Sequence, residues 1–228
     1  MSLPVRRVTW QPCRRIIPSR FPPVNLFERV ADPADFEAVF ALESLTNDRQ
    51  RDGVGDIQLV PPHDRITGLG AGYIMAAFTH LNPAGSRFSD GTYGVFYAGH
   101  TQATAIAETC YHREQFMRAT QEPPMELDMR VLLTDLDQEF TDIRGMQVNL
   151  ASVYAPESYH ASQALGRQLH AANAWGLVYD SVRHAGGACV AVFRPPALSN
   201  CRQSLHLCYV WDGARISQVY RKSFLRGR

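Results

Sequence analysis

The spacing of apolar and polar positions changes along the chain, and each change marks an element. Met125–Leu133 (MELDMRVLL) alternates apolar and polar, as a strand with one buried face does. Tyr93–Tyr97 (YGVFY) is aromatic and β-branched, which predicts a buried strand. Gly176–Val182 and Cys189–Phe193 are further apolar runs, and with Gly186–Gly187 between them they predict a hairpin whose loop spans 183–188. Leu205–Val210 and Arg215–Tyr220, joined through Asp212–Gly213, predict a terminal hairpin, and Asn25–Val30 a short strand. Helical spacing occurs over 33–46, where Phe36, Val39, Phe40 and Leu42 follow an Asp32 cap and Pro33. It recurs at Gly70–Thr79, from Thr101 to about Ala119 before Pro123–Pro124, and at His160–Ala174. Residues 47–67 and 134–158 read as loop, the second with a short helical piece. Helices and strands mix without regular βαβ alternation, so the expected fold is α+β with a mostly antiparallel sheet and flanking helices.

The first 24 residues contain Pro4, Pro12, Pro18, Pro22 and Pro23, which excludes a long helix. They predict an extended arm lying over the domain, anchored by Trp10 and Ile16–Ile17. Residues 25–228 then form one domain with an insert near 47–80 and a C-terminal hairpin extension.

Composition narrows the function classes. The formal net charge is +1, so no global field draws the chain to nucleic acid or an anionic membrane. Nearly all positive charge is arginine, with Lys222 the single lysine. Five cysteines without a C-x-x-C pair argue against zinc and against a disulfide framework, and for a reducing cytoplasm. There is no apolar run long enough to span a bilayer. The eight histidines show no metal-ligand spacing, and GLGAG lacks the G-x-G-x-x-G pattern. Ser181 has no G-x-S-x-G context and no base beside it in sequence.

Arg87 to Glu108 organises the rest. An arginine and a Gly/Asp/Ser-rich turn lead into the predicted strand, Thr101 caps the helix, and Glu108 follows on it. A cation able to grip phosphate, the aromatic Tyr97 and a carboxylate thus meet at one strand–loop–helix corner, as a site for a nucleotide-like substrate requires. On spacing alone, a plain core strand followed by a solvated helix, with Glu108 exposed, stays open. Arg29, Ser181 and Arg183 complete the scattered candidates.

The pieces LFERV, GSRFSDGTYGVFYAG, TAIAETCYH and WGLVYDSVRHAGGACVAVF, in that order, resemble the RES-domain toxins. The resemblance covers roughly residues 25–195. It implies a fold similar to the diphtheria-type ADP-ribosyltransferases and consumption of NAD+ as substrate, with inorganic phosphate as possible co-substrate and no cofactor or metal. It also implies an Xre-type antitoxin partner, a homodimer and a cytoplasmic location. The family's arginines fall on Arg29 and Arg87, its tyrosine on Tyr97, its glutamate on Glu108 and its serine on Ser181. In this reading Glu108 steadies the positive charge that grows on the ribose. Arg29 and Arg87 grip pyrophosphate, and Arg29 or Arg183 holds an attacking phosphate. Tyr97 brackets the nicotinamide ring. Ser181 bonds substrate or orients Glu108. Transfer of ADP-ribose to a protein, or a non-catalytic binding module, are the alternatives.

Overall fold

The computed structural model describes residues 3–19, Glu28 and 55–223. The helix expected at 33–46 and the start of the 47–80 insert lie outside the described residues. Of the strand expected at 25–30 only Glu28 is described, and it is helical.

The described strands are β1 (Val5–Pro18), β2 (Phe96–Gly99), β3 (Met125–Asp142), β4 (Gly176–Asp180), β5 (Ala188–Val192), β6 (Leu198–Trp211) and β7 (Ile216–Lys222). The described α-helices are α1 (Ala71–Thr79), α2 (Gln102–Ala119) and α3 (His160–Ala171). The strands form one sheet in the order β1-β2-β5-β4-β3-β6-β7, and β1 also pairs with β3. The first five strands of that order therefore close on themselves, while β6 and β7 continue from β3 as an antiparallel wing. Every pairing is antiparallel except β3 with β4, which meet in parallel at Thr141–Leu177 and Asp142–Val178. The mixed fold with a mainly antiparallel sheet is thus as its sequence predicts.

The N-terminal segment is extended, but it does not lie over the sheet. It is β1, paired with β3 from Val5–Thr141 to Pro18–Met129, and its Arg14 meets Gly99 of β2. The ladder shifts register between Trp10 and Cys13, beside Pro12, which has no N–H to give it. Val8, Trp10, Cys13 and Ile16 are buried. Its partner β3 runs nine residues past the predicted Leu133. The alternation continues there, with Leu136 and Phe140 buried between exposed Asp137 and Glu139. Asp137 accepts from Arg7 Nε at 2.8 Å and Thr9 Oγ1 at 2.9 Å, so β1 satisfies the carboxylate that made this stretch look like loop.

The β4–β5 hairpin is buried on both faces. Val178, Val190 and Val192 pack with Trp10, Phe96, Leu132 and Phe140 and with Ile74, Met75 and Phe78 of α1. Leu177, Tyr179, Cys189, Ala191 and Phe193 point the other way, onto Phe88, Val95 and Ile143, with Leu165 and Leu169 of α3 against them. Burying each of these valines contributes roughly 1.5–3 kcal/mol, more than a surface ion pair on the wing. Ala105, Ile106 and Cys110 seat α2 on a third cluster with Met129, Val131, Leu207 and Tyr209.

Helix α2 begins as predicted, with Thr101 Oγ1 accepting from Thr104 N at 3.2 Å. Strand β2 starts three residues later than YGVFY suggests. Gly94 lies against α1, where a Cβ would stand 2.3 Å from the Phe78 Cα, so the chain joins the ladder only at Phe96. Among the described residues no helix is long and apolar enough to cross a membrane.

Gly166 of α3 packs on the turn that carries Arg87: an added Cβ would stand 2.1 Å from the Phe88 carbonyl oxygen. Helix propensity alone favours alanine over glycine by about 1 kcal/mol. Gly166→Ala is nevertheless expected to destabilise the protein by about 1–3 kcal/mol in urea unfolding. Gln168→Ala on the exposed side of α3 should be neutral or slightly stabilising in the same measurement.

Candidate active site

Ser181 is the first residue beyond β4. Its hydroxyl oxygen accepts the backbone N–H of Arg183 at 3.1 Å and of His184 at 2.9 Å, a local turn that serine favours. With those two donors in place its single proton points outward, and it donates to Glu108 Oε1 at 2.5 Å. Such a short bond from hydroxyl to carboxylate is of the charge-assisted kind. Cys189 of β5, opposite Tyr179 in the ladder, lies with its Sγ 3.8 Å from the same oxygen. Glu108 is half-buried, in the second turn of α2. The exposed, solvated glutamate that spacing left open is therefore not what the fold contains.

Arg87 sits in a tight turn closed by the Ser86–Ser89 bridge and is only 7% exposed. The turn is braced from three sides. The Tyr97 hydroxyl accepts from Phe88 N at 2.9 Å and is 2.8 Å from Ser86 Oγ. Tyr93 donates to the Phe88 carbonyl at 2.6 Å, and Gln163 of α3 donates to the carbonyls of Ser86 and Ser89. The guanidinium donates to the carbonyls of Val153 and Ala155 at 3.2 and 3.0 Å and lies over the Tyr159 ring, 4.6 Å from its centroid.

Residues 63–212 match the RES domain. The chain is also 34% identical over 208 residues, 90% of this chain and 85% of the relative, to the uncharacterized protein y4oC of Sinorhizobium fredii (strain NBRC 101917 / NGR234). It belongs to the RES domain family. The match runs into the C-terminal hairpin and takes in all of β6. A chain of the M. tuberculosis MbcT–MbcA toxin–antitoxin complex is similar at 11% identity and a TM-score of 0.40, over 90% of this chain and 88% of that chain. That likeness is too loose to transfer the role of any residue.

Of the residues expected to form the site of this RES-domain protein, Glu108, Ser181 and Arg183 meet at the β4 turn, and Arg87 and Tyr97 meet at the 86–88 turn. Arg29 lies outside the described residues. Tyr97 is half-buried, its ring packed with the cluster around Phe88 and its hydroxyl held by Ser86 and Phe88. Burial pushes that hydroxyl up to about 12, so it stays protonated. These bonds make Tyr97 a brace for the Arg87 turn. Arg183 lies over the Tyr111 ring, its Cζ 3.3 Å from the centroid, and donates to the Pro156 carbonyl at 2.5 Å.

Tyr179 joins the two halves. Its ring meets Phe88 edge-on at 4.9 Å. Its hydroxyl is raised well above the ordinary tyrosine value, first by burial, then by nearby Cys189, Glu108 and Tyr97, with Arg87 opposing. Sequence reasoning missed Tyr179, although it stands on β4 only two residues before Ser181. It also missed His112, one helical turn beyond Glu108 and on the same side of α2.

Desolvation lowers the His112 pKa from the ordinary 6.5; the Glu108 carboxylate opposes this, and Arg183, Arg87 and Arg113 lower it further. The folded state thus favours neutral His112. The stability tied to that neutrality is present above the unfolded value and is lost as pH falls through the folded one. In an NMR titration, His112 is expected to protonate below pH 6.5 in the folded protein. Glu108→Gln should move that midpoint lower still and Arg183→Gln should move it upward; no movement in either variant would separate His112 from this site.

Proposed function

We propose that this RES-domain protein cleaves the nicotinamide–ribose bond of NAD+ with phosphate or water as acceptor. The observation that carries the reading is the 2.5 Å bond from Ser181 that fixes the Glu108 carboxylate, in a site where Glu108, Arg183 and Arg87 all act on His112. Bond cleavage sends both electrons to the ring nitrogen, so nicotinamide leaves neutral and positive charge grows on the ribose. A fixed carboxylate stabilises that charge without reorganising as it forms. Ser181 positions Glu108 and is no nucleophile, since its proton is committed to the carboxylate and its oxygen to two backbone N–H groups.

Phosphate arrives as an anion and needs cations more than a base, which favours the surroundings of Arg87 and Arg183. Its oxygen would bond to the ribose carbon that nicotinamide leaves. With water as acceptor, the same bond forms and a proton is released. Action as a toxin in the cytoplasm, as a homodimer held in check by an Xre-type antitoxin, belongs to the same reading and rests on the family resemblance.

Purified protein incubated with NAD+ is expected to release nicotinamide, faster with phosphate if phosphate is the acceptor, as mass analysis of the second product will tell. Glu108→Gln should lower kcat by about a hundredfold to a thousandfold. Ser181→Ala leaves the carboxylate but lets it turn, and should lower kcat by up to about a hundredfold. Intact NAD+ after incubation of wild-type protein with phosphate present would end this reading. Label transferred from NAD+ to a protein would replace it with ADP-ribosylation.

A further inference from the structure

We infer that Glu157 is a built-in occupant of an anion subsite: its carboxylate stands where a substrate phosphate would meet Arg183, and it must swing away for one to bind. The inference rests on Arg183 as an anion-holding group of the proposed site.

The segment 153–159, the last part of the link from β3 to α3, faces both arginines. Toward Arg87 it presents the carbonyls of Val153 and Ala155 and the Tyr159 ring. Toward Arg183 it presents the Pro156 carbonyl at 2.5 Å from Nη2 and Glu157 Oε1 at 3.7 Å from Nη1. The same guanidinium lies over the Tyr111 ring, and the Tyr111 hydroxyl lies 3.5 and 3.4 Å from the two Glu157 oxygens. One face and one edge of the cation are thus taken by aromatic ring and carbonyl. Among the described residues, the edge toward Nη1 meets a loosely held carboxylate.

The two partners differ in their surroundings. The Arg183 side chain is 13% exposed and that of Glu157 is 77% exposed. The cation is fixed within the protein and the anion stands in water, so the anion is the partner free to leave. Its hold is weak: a carboxylate standing in water 3.7 Å from the cation gains little Coulomb energy, and the tyrosine contacts are long. A phosphate group has more charge and more acceptor oxygens than a carboxylate and pairs with the guanidinium fork through two parallel bonds. It would displace Glu157, while the shorter carbonyl contact to Pro156 keeps Arg183 in place. The subsite therefore competes with itself, and Glu157 sets how much polyanionic ligand is needed to open it.

The test titrates the full chain with inorganic pyrophosphate by calorimetry at low ionic strength. Glu157→Gln removes the competing charge with little change of shape at an exposed position. It is expected to bind about twofold to fivefold more tightly than wild type. That gain should vanish in the Glu157→Gln/Arg183→Gln double variant and shrink as salt screens the pair. Equal or weaker binding by Glu157→Gln, a gain that survives loss of Arg183, or no measurable binding by either protein would overturn the inference. The probe has no nicotinamide–ribose bond, so the result is read whether or not the protein consumes NAD+. Where NAD+ is consumed, KM for NAD+ should fall by the same factor.

Discussion

The β4–β5 hairpin has no face that meets water. One row of its side chains packs against α1 and the closed sheet, the other against the 86–95 region and α3. A strand in that setting cannot slip by one residue without driving each row into the wrong layer. Its register is therefore fixed, and so is the point where it stops. Ser181 stands at that point, two residues past Tyr179 and across the ladder from Gly187, whose carbonyl accepts from its N–H at 2.8 Å. The precision with which a serine hydroxyl meets Glu108 is inherited from the packing of residues that take no part in chemistry.

Glu108 reaches the same place from the opposite direction. The Thr101 cap sets where α2 begins, and the apolar contacts of Ala105, Ile106 and Cys110 with the β3–β6 surface set its rotation. Together they turn position 108 toward the end of β4. The carboxylate then meets a serine whose oxygen already accepts two backbone N–H groups, so the fold sets the orientation of both partners. A site built on a buried hairpin and a capped helix is pre-organised in the sense that electrostatic catalysis needs. The arginines are held differently. Arg87 and Arg183 have backbone carbonyls and aromatic faces as neighbours, contacts that steady a cation without neutralising it. Among the described residues, Glu157, at the solvent edge, forms an ion pair with Arg183.

The N-terminal strand makes closure of the sheet possible. It bonds β3 along nearly its whole length and touches β2 at Gly99, which joins the two ends of the five-strand row. Its prolines mark an extended chain in sequence but give no hint of a partner. Pro12 falls at the register shift and Pro18 at the strand end, so neither costs the ladder an essential donor. The far half of β3 was hidden for a related reason. Asp135, Asp137 and Glu139 look like loop residues until the basic and hydroxyl side chains of the neighbouring strands, Arg7 and Thr9 among them, come alongside.

Local chemistry was enough for much of this molecule. The hairpins at 176–193 and 205–220, the three helices of the described region, the Thr101 cap and the mixed, mainly antiparallel class all follow from turn residues, capping and short-range periodicity, which depend only on neighbours in the chain; the start of β6 at Leu198 does not. The motifs around Arg87, Glu108 and Ser181 likewise lie in the sequence, within the stretch that matches the RES domain. Contacts over long separations were decided by the folded molecule alone. They include the closure by β1, the bond between Ser181 and Glu108, 73 residues apart, and the seat of Tyr179 between both halves of the site. They also include the approach of Glu157 to Arg183 and the use of the Tyr97 hydroxyl as a brace. Each arises where two separately folded pieces are brought together by burial, and a pattern read along one strand or helix holds no information about what will pack against it.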